Sequence, residues 1–481
     1  MNFSSLFSSL FLLVLVTTSV TAKDERPNII VILADDLGYN DVGFTGKTEI
    51  NTPNLDKLAA DGIIFENAYV THPYCGPSRA GLITGRYQAR FGMENNVSYS
   101  PYDKYMGLPL EQKNFANRLQ EVGYQTSVFG KWHLGGAPHF QPNNRGFDYF
   151  YGFLDGGHNY MPGEVTVGGE GYFLPIMRNT KVAEFDEYLT TALSNDAARY
   201  IARSKDKPFL MYLSYNAPHA PLQAPQNFID KYAHIKDKNR RIYAAMVDAM
   251  DEGVGRVVTA LKDAGEFDNT LIFFLSDNGG VYPEEWLPTL DWADNSPFRR
   301  GKVALLEGGI HVPFIAHWPD KIAKGSKFKG LISSLDIAAT AVALAGAKDG
   351  NNELDGVNLV PYMTGNKTGN PHQALFWRLE EGPNIYAVRT PEAKYMKQGL
   401  PGVGRSYFDM LADPTENNNL VDQFPAKQAK LASLWNEWNS KNTNSVLYQS
   451  WEYKKARNDF YDELHKKNLQ QAKETKIDII E

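Results

Sequence analysis

The chain has a single cysteine in 481 residues. That excludes an intrachain disulfide framework and makes Cys75 a residue to be explained by itself. It also lacks a basic surplus: 49 Lys and Arg stand against 56 Asp and Glu, a formal net charge of −7. Phosphate backbones are bound by clustered basic footprints, so no nucleic-acid partner is expected. A local basic pocket for a small anion stays compatible with this balance. No apolar run reaches the ~20 residues of a comfortable membrane-spanning helix, and no internal repeat or low-complexity segment occurs. What remains, 43% hydrophobic and 22% charged, is ordinary globular composition, long enough for two domains of unequal size.

The N-terminus has no Lys or Arg before Lys23, yet it carries an apolar stretch through Leu6, Phe7 and Leu10 to Val16. Val20-Thr21-Ala22 follows as a small-residue cleavage site. Residues 1–22 therefore read as a signal peptide. The mature protein is expected to be exported, periplasmic or secreted, with no membrane in its mature form.

Beyond the leader, strand and helix patterns alternate. Asn28 to Leu33 is a short continuous apolar run of the kind buried on both faces of a parallel sheet. Gln125 to Phe129, Phe209 to Ser214, Thr270 to Leu275 and Val312 to Ala316 are further strand candidates. Helices are predicted over Asn54 to Asp61 (capped by Thr52 with Pro53 following), Phe115 to Glu121, Thr190 to Ser204, Arg240 to Ala264 and Leu335 to Ala345. This alternation implies an α/β fold, a mostly parallel sheet covered by helices on both faces. After about Gly365 the rhythm shortens to strand-like pieces and one helix, Ala426 to Ser440. A smaller antiparallel sheet plus helix is expected there, dividing the chain into a catalytic domain (23–368) and a C-terminal subdomain (369–481). Tyr453, Ala456, Phe460 and Leu464 recur at helical spacing and predict a last amphipathic helix.

The first strand ends in Asp35-Asp36, and the Thr270 to Leu275 strand runs into Asp277-Asn278-Gly279-Gly280. Ligands in open α/β sheets gather at the carboxyl ends of strands. Three carboxylates and an amide oxygen suit Ca²⁺ or Mg²⁺ better than Zn²⁺. Either pair alone is more often a turn than a metal site.

The segment Cys75-Gly76-Pro77-Ser78-Arg79, followed by Thr84-Gly85-Arg86, resembles the maturation signature of type I sulfatases, C-x-P-S-R then T-G-R. Gly130-Lys131-Trp132-His133-Leu134-Gly135, Asn216-Ala217-Pro218-His219 and the stretch from Asn295 to Lys302 with Glu307-Gly308-Gly309 extend the likeness along nearly the whole mature chain. The match is to bacterial polysaccharide and carbohydrate sulfatases. The resemblance implies an alkaline-phosphatase-like fold and conversion of Cys75 to 3-oxoalanine (formylglycine) by a separate formylglycine-generating maturation enzyme. An aldehyde hydrate offers two hydroxyls on one carbon, one to attack sulfur and one to expel sulfate later.

It further implies that Asp35, Asp36, Asp277 and Asn278 hold one Ca²⁺, in preference to Mg²⁺, with the modified Cys75 completing the shell. Arg79 and Lys131 would position the hydrate and neutralise sulfate. His133 would take a proton from the remaining hydroxyl, and His219 or Lys302 would protonate the leaving alcohol. His158 and Asn159 are candidate contacts to sugar hydroxyls, and Arg299 and Arg300 to a further anionic group. His311 stands where the family often has Arg, and is expected to be a rim or surface change. The expected substrate is a sulfated glycan, best a sulfated galactan such as carrageenan. Two alternatives are a phosphatase or phosphodiesterase of the same superfamily and a non-catalytic glycan-binding protein.

Overall fold

A computed structural model of the chain describes residues 25–46, 48–97, 99, 101–162, 175–204, 207–283, 291–319, 321–350, 353–379, 385–397 and 404–445, with scattered positions between 459 and 474. The expected leader, and the four apolar positions Tyr453, Ala456, Phe460 and Leu464, lie outside these residues. No described helix is long and apolar enough to cross a membrane.

Ten strands form one sheet. Its centre is five consecutive parallel strands, in spatial order Thr270–Ser276, Asn28–Ala34, Phe209–Ser214, Gln125–Lys131 and Tyr149–Phe153. Parallel order brings all five carboxyl ends to one edge of the sheet. The β-branched run of the Asn28–Ala34 strand sends alternate side chains into two cores. Ile29, Val31 and Leu33 pack with the helices Cys75–Thr84, Phe115–Gln120 and Leu335–Ala345. Ile30, Ile32 and Ala34 pack with Pro53–Ala60, Leu189–Arg203 and Lys238–Asp263. Both faces are therefore covered, and every residue of that strand is buried.

Two local expectations are corrected. The strand predicted at Val312 to Ala316 is Phe314–His317, and it runs antiparallel to Thr270–Ser276. The one helix described in the connection is the four-residue Glu307–Ile310, too short for the crossover that parallel pairing requires. Thr52 makes no side-chain cap; its hydroxyl instead accepts from Gly43 N at 2.8 Å and donates to Asp56 at 3.1 Å. The first-turn amides of Asn54 and Leu55 donate to Asp251 of the long helix, at 3.0 and 2.8 Å. A distant carboxylate thus does the cap's work.

Leu375–Leu379, Ile385–Arg389, Ala393–Lys397 and Arg405–Asp409 form a separate antiparallel sheet. One face holds Tyr386, Val388 and Tyr395 against Leu431, Trp435 and Trp438 of the helix Pro425–Asn439. The other face places Leu375, Trp377, Ala387 and Met396 in the same apolar cluster as Val31 of the large sheet. Trp377 is 1% exposed, and its indole donates to Val70 O at 2.8 Å. Trp377→Ala should cost about 3–5 kcal/mol of stability, measured as a lower urea midpoint at unchanged slope.

Candidate active site

Cys75 opens a fully buried ten-residue helix, Cys75–Thr84. Gly85 ends it in the left-handed region, φ 67°, where glycine carries no Cβ penalty. The positive end of this helix's dipole favours an anion beside Cys75. The thiol lies 3.5 Å from Asp35 Oδ1 and 3.9 Å from Asp36 Oδ1. Burial pushes it far up, Asp277 and Asp35 push the same way, and Lys131 and Lys302 only partly oppose them. A thiol so firmly protonated is a poor nucleophile as it stands.

The cations interlock with the carboxylates at the strand ends. Arg79 sends Nε and Nη2 to Asp277 Oδ2, both at 2.8 Å, and Nη2 lies 3.6 Å from Asp35. Its Nη1 donates to Ser214 Oγ and to Lys131 O. Lys131 Nζ is 2.6 Å from Asp35 Oδ2. Lys302 Nζ is 2.7 Å from Asp36 Oδ2, and His219 Nε2 is 3.5 Å from the same oxygen. Burial raises the Asp36 carboxyl, but Lys302, His219 and Lys131 outweigh it and hold the group well below the usual range. Asp277 is pushed up to about 6 by burial and by neighbouring Asp35. Burial, then the charges of Lys131 and Arg79, keep His133 far below an ordinary histidine and so neutral.

The donor set fits a hard divalent cation. Ligand atoms of Asp35, Asp36, Cys75 and His219 all lie within 4.8 Å of one another. Asp36 N donates to Asp277 Oδ1 at 3.2 Å, and Asn278 Nδ2 to Asp36 Oδ1 at 2.7 Å. Asn278 Oδ1 is buried with no protein partner. An orphaned amide oxygen among three carboxylates is what an oxygen-ligated ion satisfies.

The sulfatase family model matches residues 27–347, two thirds of the chain, and the model for the C-terminal part of N-sulphoglucosamine sulphohydrolase matches 301–444. The chain belongs to the sulfatase family. It is 33% identical to arylsulfatase J of Mus musculus over 469 residues, 87% of this chain and 77% of that one. It is also 33% identical to N-acetylgalactosamine-6-sulfatase of Rattus norvegicus, covering 70% of this chain and 66% of the relative. Among solved structures it resembles Ps i-CgsB in complex with k-i-k-neocarrahexaose, at 38% identity and TM-score 0.81, over 89% of this chain and 96% of that one. This sulfatase is a sulfate ester hydrolase on an alkaline-phosphatase-like fold.

Exposure in the sulfatase site is graded. Cys75, Asp35, Asp277, Asn278, Arg79 and Lys131 are at most 1% exposed, while the His219 and Lys302 side chains are 14% and 17% exposed. The backbone is also unusual at two buried site residues and on either side of Lys302. Asp36 (φ 62°), His133 (φ 58°), Arg300 (φ 64°) and Val303 (φ 74°) are four of the six non-glycine positive-φ residues described. For β-branched Val303 this is a strained conformation, the sort retained at functional sites.

His158 and Asn159 are buried, 6% and 2% exposed. The His158 ring packs on Phe153 and Phe185, and its carbonyl accepts from Asn216. Next to them, buried Tyr160 donates to the carbonyls of Asn216 and His219 at 2.6 and 2.7 Å, so this segment braces the His219 loop. Arg299 is exposed and donates to Glu416 O; Arg300 is partly exposed, two residues before Lys302.

His311 is buried, 3% exposed, and not a rim residue. It stacks on Phe298 at 4.3 Å and meets Glu307 Oε2 at 3.0 Å. Glu307 also pairs with Lys394 of the small sheet at 2.9 Å, and Lys394 with Glu416 at 2.7 Å. Through Gly279 N, which donates to Gly309 O at 3.0 Å, this network backs the metal-site strand end. Ser214, Asn96, Tyr160 and Lys394 support the site, a role the sequence reading gave to none of them.

Proposed function

We propose that this sulfatase releases sulfate from a sulfated polysaccharide outside the cytoplasm, best a sulfated galactan such as carrageenan. The catalytic group would be formylglycine, made from Cys75 by a separate maturation enzyme, and the metal one Ca²⁺ held by Asp35, Asp36, Asp277 and Asn278. The substrate class rests on the likeness to Ps i-CgsB, whose structure holds a neocarrahexaose. The roles in the reaction rest on the exposure gradient, because among the described site residues His219 and Lys302 are the more exposed and so are placed to meet the departing alcohol.

The modified Cys75 would supply a hydrate with two hydroxyls on one carbon, and the cation would draw charge from the sulfate oxygens. The chain's own groups do the rest. Arg79 and Lys131, fixed by Asp277, Asp35 and Ser214, orient the group at position 75 and offset the anionic charge in a water-poor pocket. His219 or Lys302 donates a proton to the ester oxygen as its bond to sulfur breaks. His133, neutral in its buried setting, accepts a proton from a hydroxyl at position 75 in the later release of sulfate.

The assignment is tested by leaving group. A sugar alcohol needs protonation to depart, and an activated phenolate does not. With His219 as acid, His219→Ala should lower kcat/KM on a sulfated carrageenan oligosaccharide by about 10²–10⁴-fold, and on an activated aryl sulfate far less. His133→Ala should slow both substrates. Equal losses for His219→Ala would move the acid role to Lys302, and no sulfate release from any sulfated galactan would reject the substrate class.

A further inference from the structure

A loop next to the site is pinned at both ends to catalytic segments. At one end Asn96 Oδ1 accepts from Gly76 N, the residue after Cys75, at 2.8 Å. At the other, Gly107 bridges Gly135, and Leu108 N donates to Leu134 O at 2.9 Å, one residue beyond His133. Between the pins Tyr99 packs partly buried on the core, whereas Tyr102 is 94% and Tyr105 50% exposed. The Lys104 ammonium sits 5.2 Å above the Tyr105 ring. This turn is built, not loose: Asp103 accepts from Tyr105 N and Met106 N at 2.8 and 3.2 Å, and the His139 ring meets Lys104 O at 3.1 Å.

Elsewhere on the surface, Tyr282 is 40% exposed and lies against Gly301, beside Lys302. Six large apolar side chains are markedly exposed among the described residues, and three are these tyrosines. Tyr102 and Tyr105 stand on the same short turn, and exposed aromatic surface gathered at one place marks a binding surface. A tyrosine offers a rigid, amphipathic face that loses little entropy on contact. The chemistry that such a face with an adjacent ammonium recognises is a pyranose ring carrying an anionic substituent.

We propose that Tyr102, Lys104 and Tyr105 form a subsite for a sugar unit neighbouring the one that is desulfated, so that the enzyme prefers a chain to a single sugar. The proposal rests on the polysaccharide reading above and deepens it. In that role Tyr102 stacks on the ring, and Lys104 meets its sulfate.

The test compares wild type, Tyr102→Ala and Lys104→Ser on a sulfated carrageenan hexasaccharide and on an aryl sulfate too small to reach the loop. The ratio of the two kcat/KM values should fall about tenfold for Tyr102→Ala, carried mainly by KM. In a Cys75→Ala background, calorimetric titration with the same hexasaccharide should show Kd rising by a similar factor when Tyr102→Ala is added. An unchanged ratio with unchanged Kd overturns the subsite while sulfate release leaves the polysaccharide reading standing. Binding that depends on Tyr102 without any sulfate release supports the subsite and rejects that reading.

Discussion

Cys75→Ala should fold, bind sulfated glycan and release no sulfate. Cys75 is 1% exposed at the start of a buried helix, and its thiol contacts only weakly the two carboxylates beside it, at 3.5 and 3.9 Å. Alanine therefore removes one sulfur atom from a pocket whose Asp35–Lys131 and Arg79–Asp277 pairs close without it. Loss of a nucleophile that acts together with its supporting groups typically costs about 10⁴–10⁶ in kcat. The expected result is unchanged far-ultraviolet circular dichroism and thermal midpoint, with turnover below detection on both glycan and aryl sulfates. A variant that keeps more than a tenth of the wild-type rate would show that the reaction does not pass through position 75.

Removing the cation should be almost as damaging. Three carboxylates and an orphaned amide oxygen converge from two neighbouring parallel strands. Lys131, Lys302 and Arg79 pair with these carboxylates but leave the amide oxygen of Asn278 without a partner. Elemental analysis should find one Ca²⁺ per chain, and exhaustive chelation should stop sulfate release until Ca²⁺ is returned. Asp277→Asn keeps the side-chain volume and a partner for Arg79, so it avoids the cost of stranding a buried guanidinium. It should lower metal affinity and kcat/KM by more than about 100-fold. Two stoichiometric zinc ions, or a full rate after chelation, would overturn the metal assignment and favour phosphatase-type chemistry.

The parts of the fold that were legible in the sequence are those with long, unbroken apolar runs. Asn28–Ala34, Phe209–Ser214 and Thr270–Ser276 lie within one residue of their expected bounds, because a strand buried on both faces must be apolar throughout. Strands of two or three residues, such as Ile63–Phe65 and Ala68–Tyr69, carry too few side chains to show a period. The helix Cys75–Thr84 was equally hidden, since Gly76, Pro77 and Gly81 are poor helix formers; packing on both sides, not propensity, sustains it.

The candidate site divides the same way. Asp35, Asp36, Asp277 and Asn278 were readable as polar residues directly after apolar strands, and parallel order puts those ends side by side. Cys75, Arg79, Lys131, His133, His219 and Lys302 were found through motifs. Their supports were not. Ser214 looks like any strand-end serine, and Lys394 like any surface lysine, until the fold buries them against Arg79 and Glu307. His311 was misjudged for that reason: its partners Glu307 and Phe298 belong to one packed layer that a linear motif does not reveal.

Position 75 should carry an aldehyde in the working enzyme. The most direct measurement is the mass of the tryptic peptide containing it, from protein made together with a formylglycine-generating enzyme. The expected peptide is lighter by about 18 Da than the cysteine form, as replacing the thiol by an aldehyde requires. The modified fraction should rise and fall with specific activity from one preparation to the next. A fully active preparation whose peptide retains the cysteine mass would contradict that expectation.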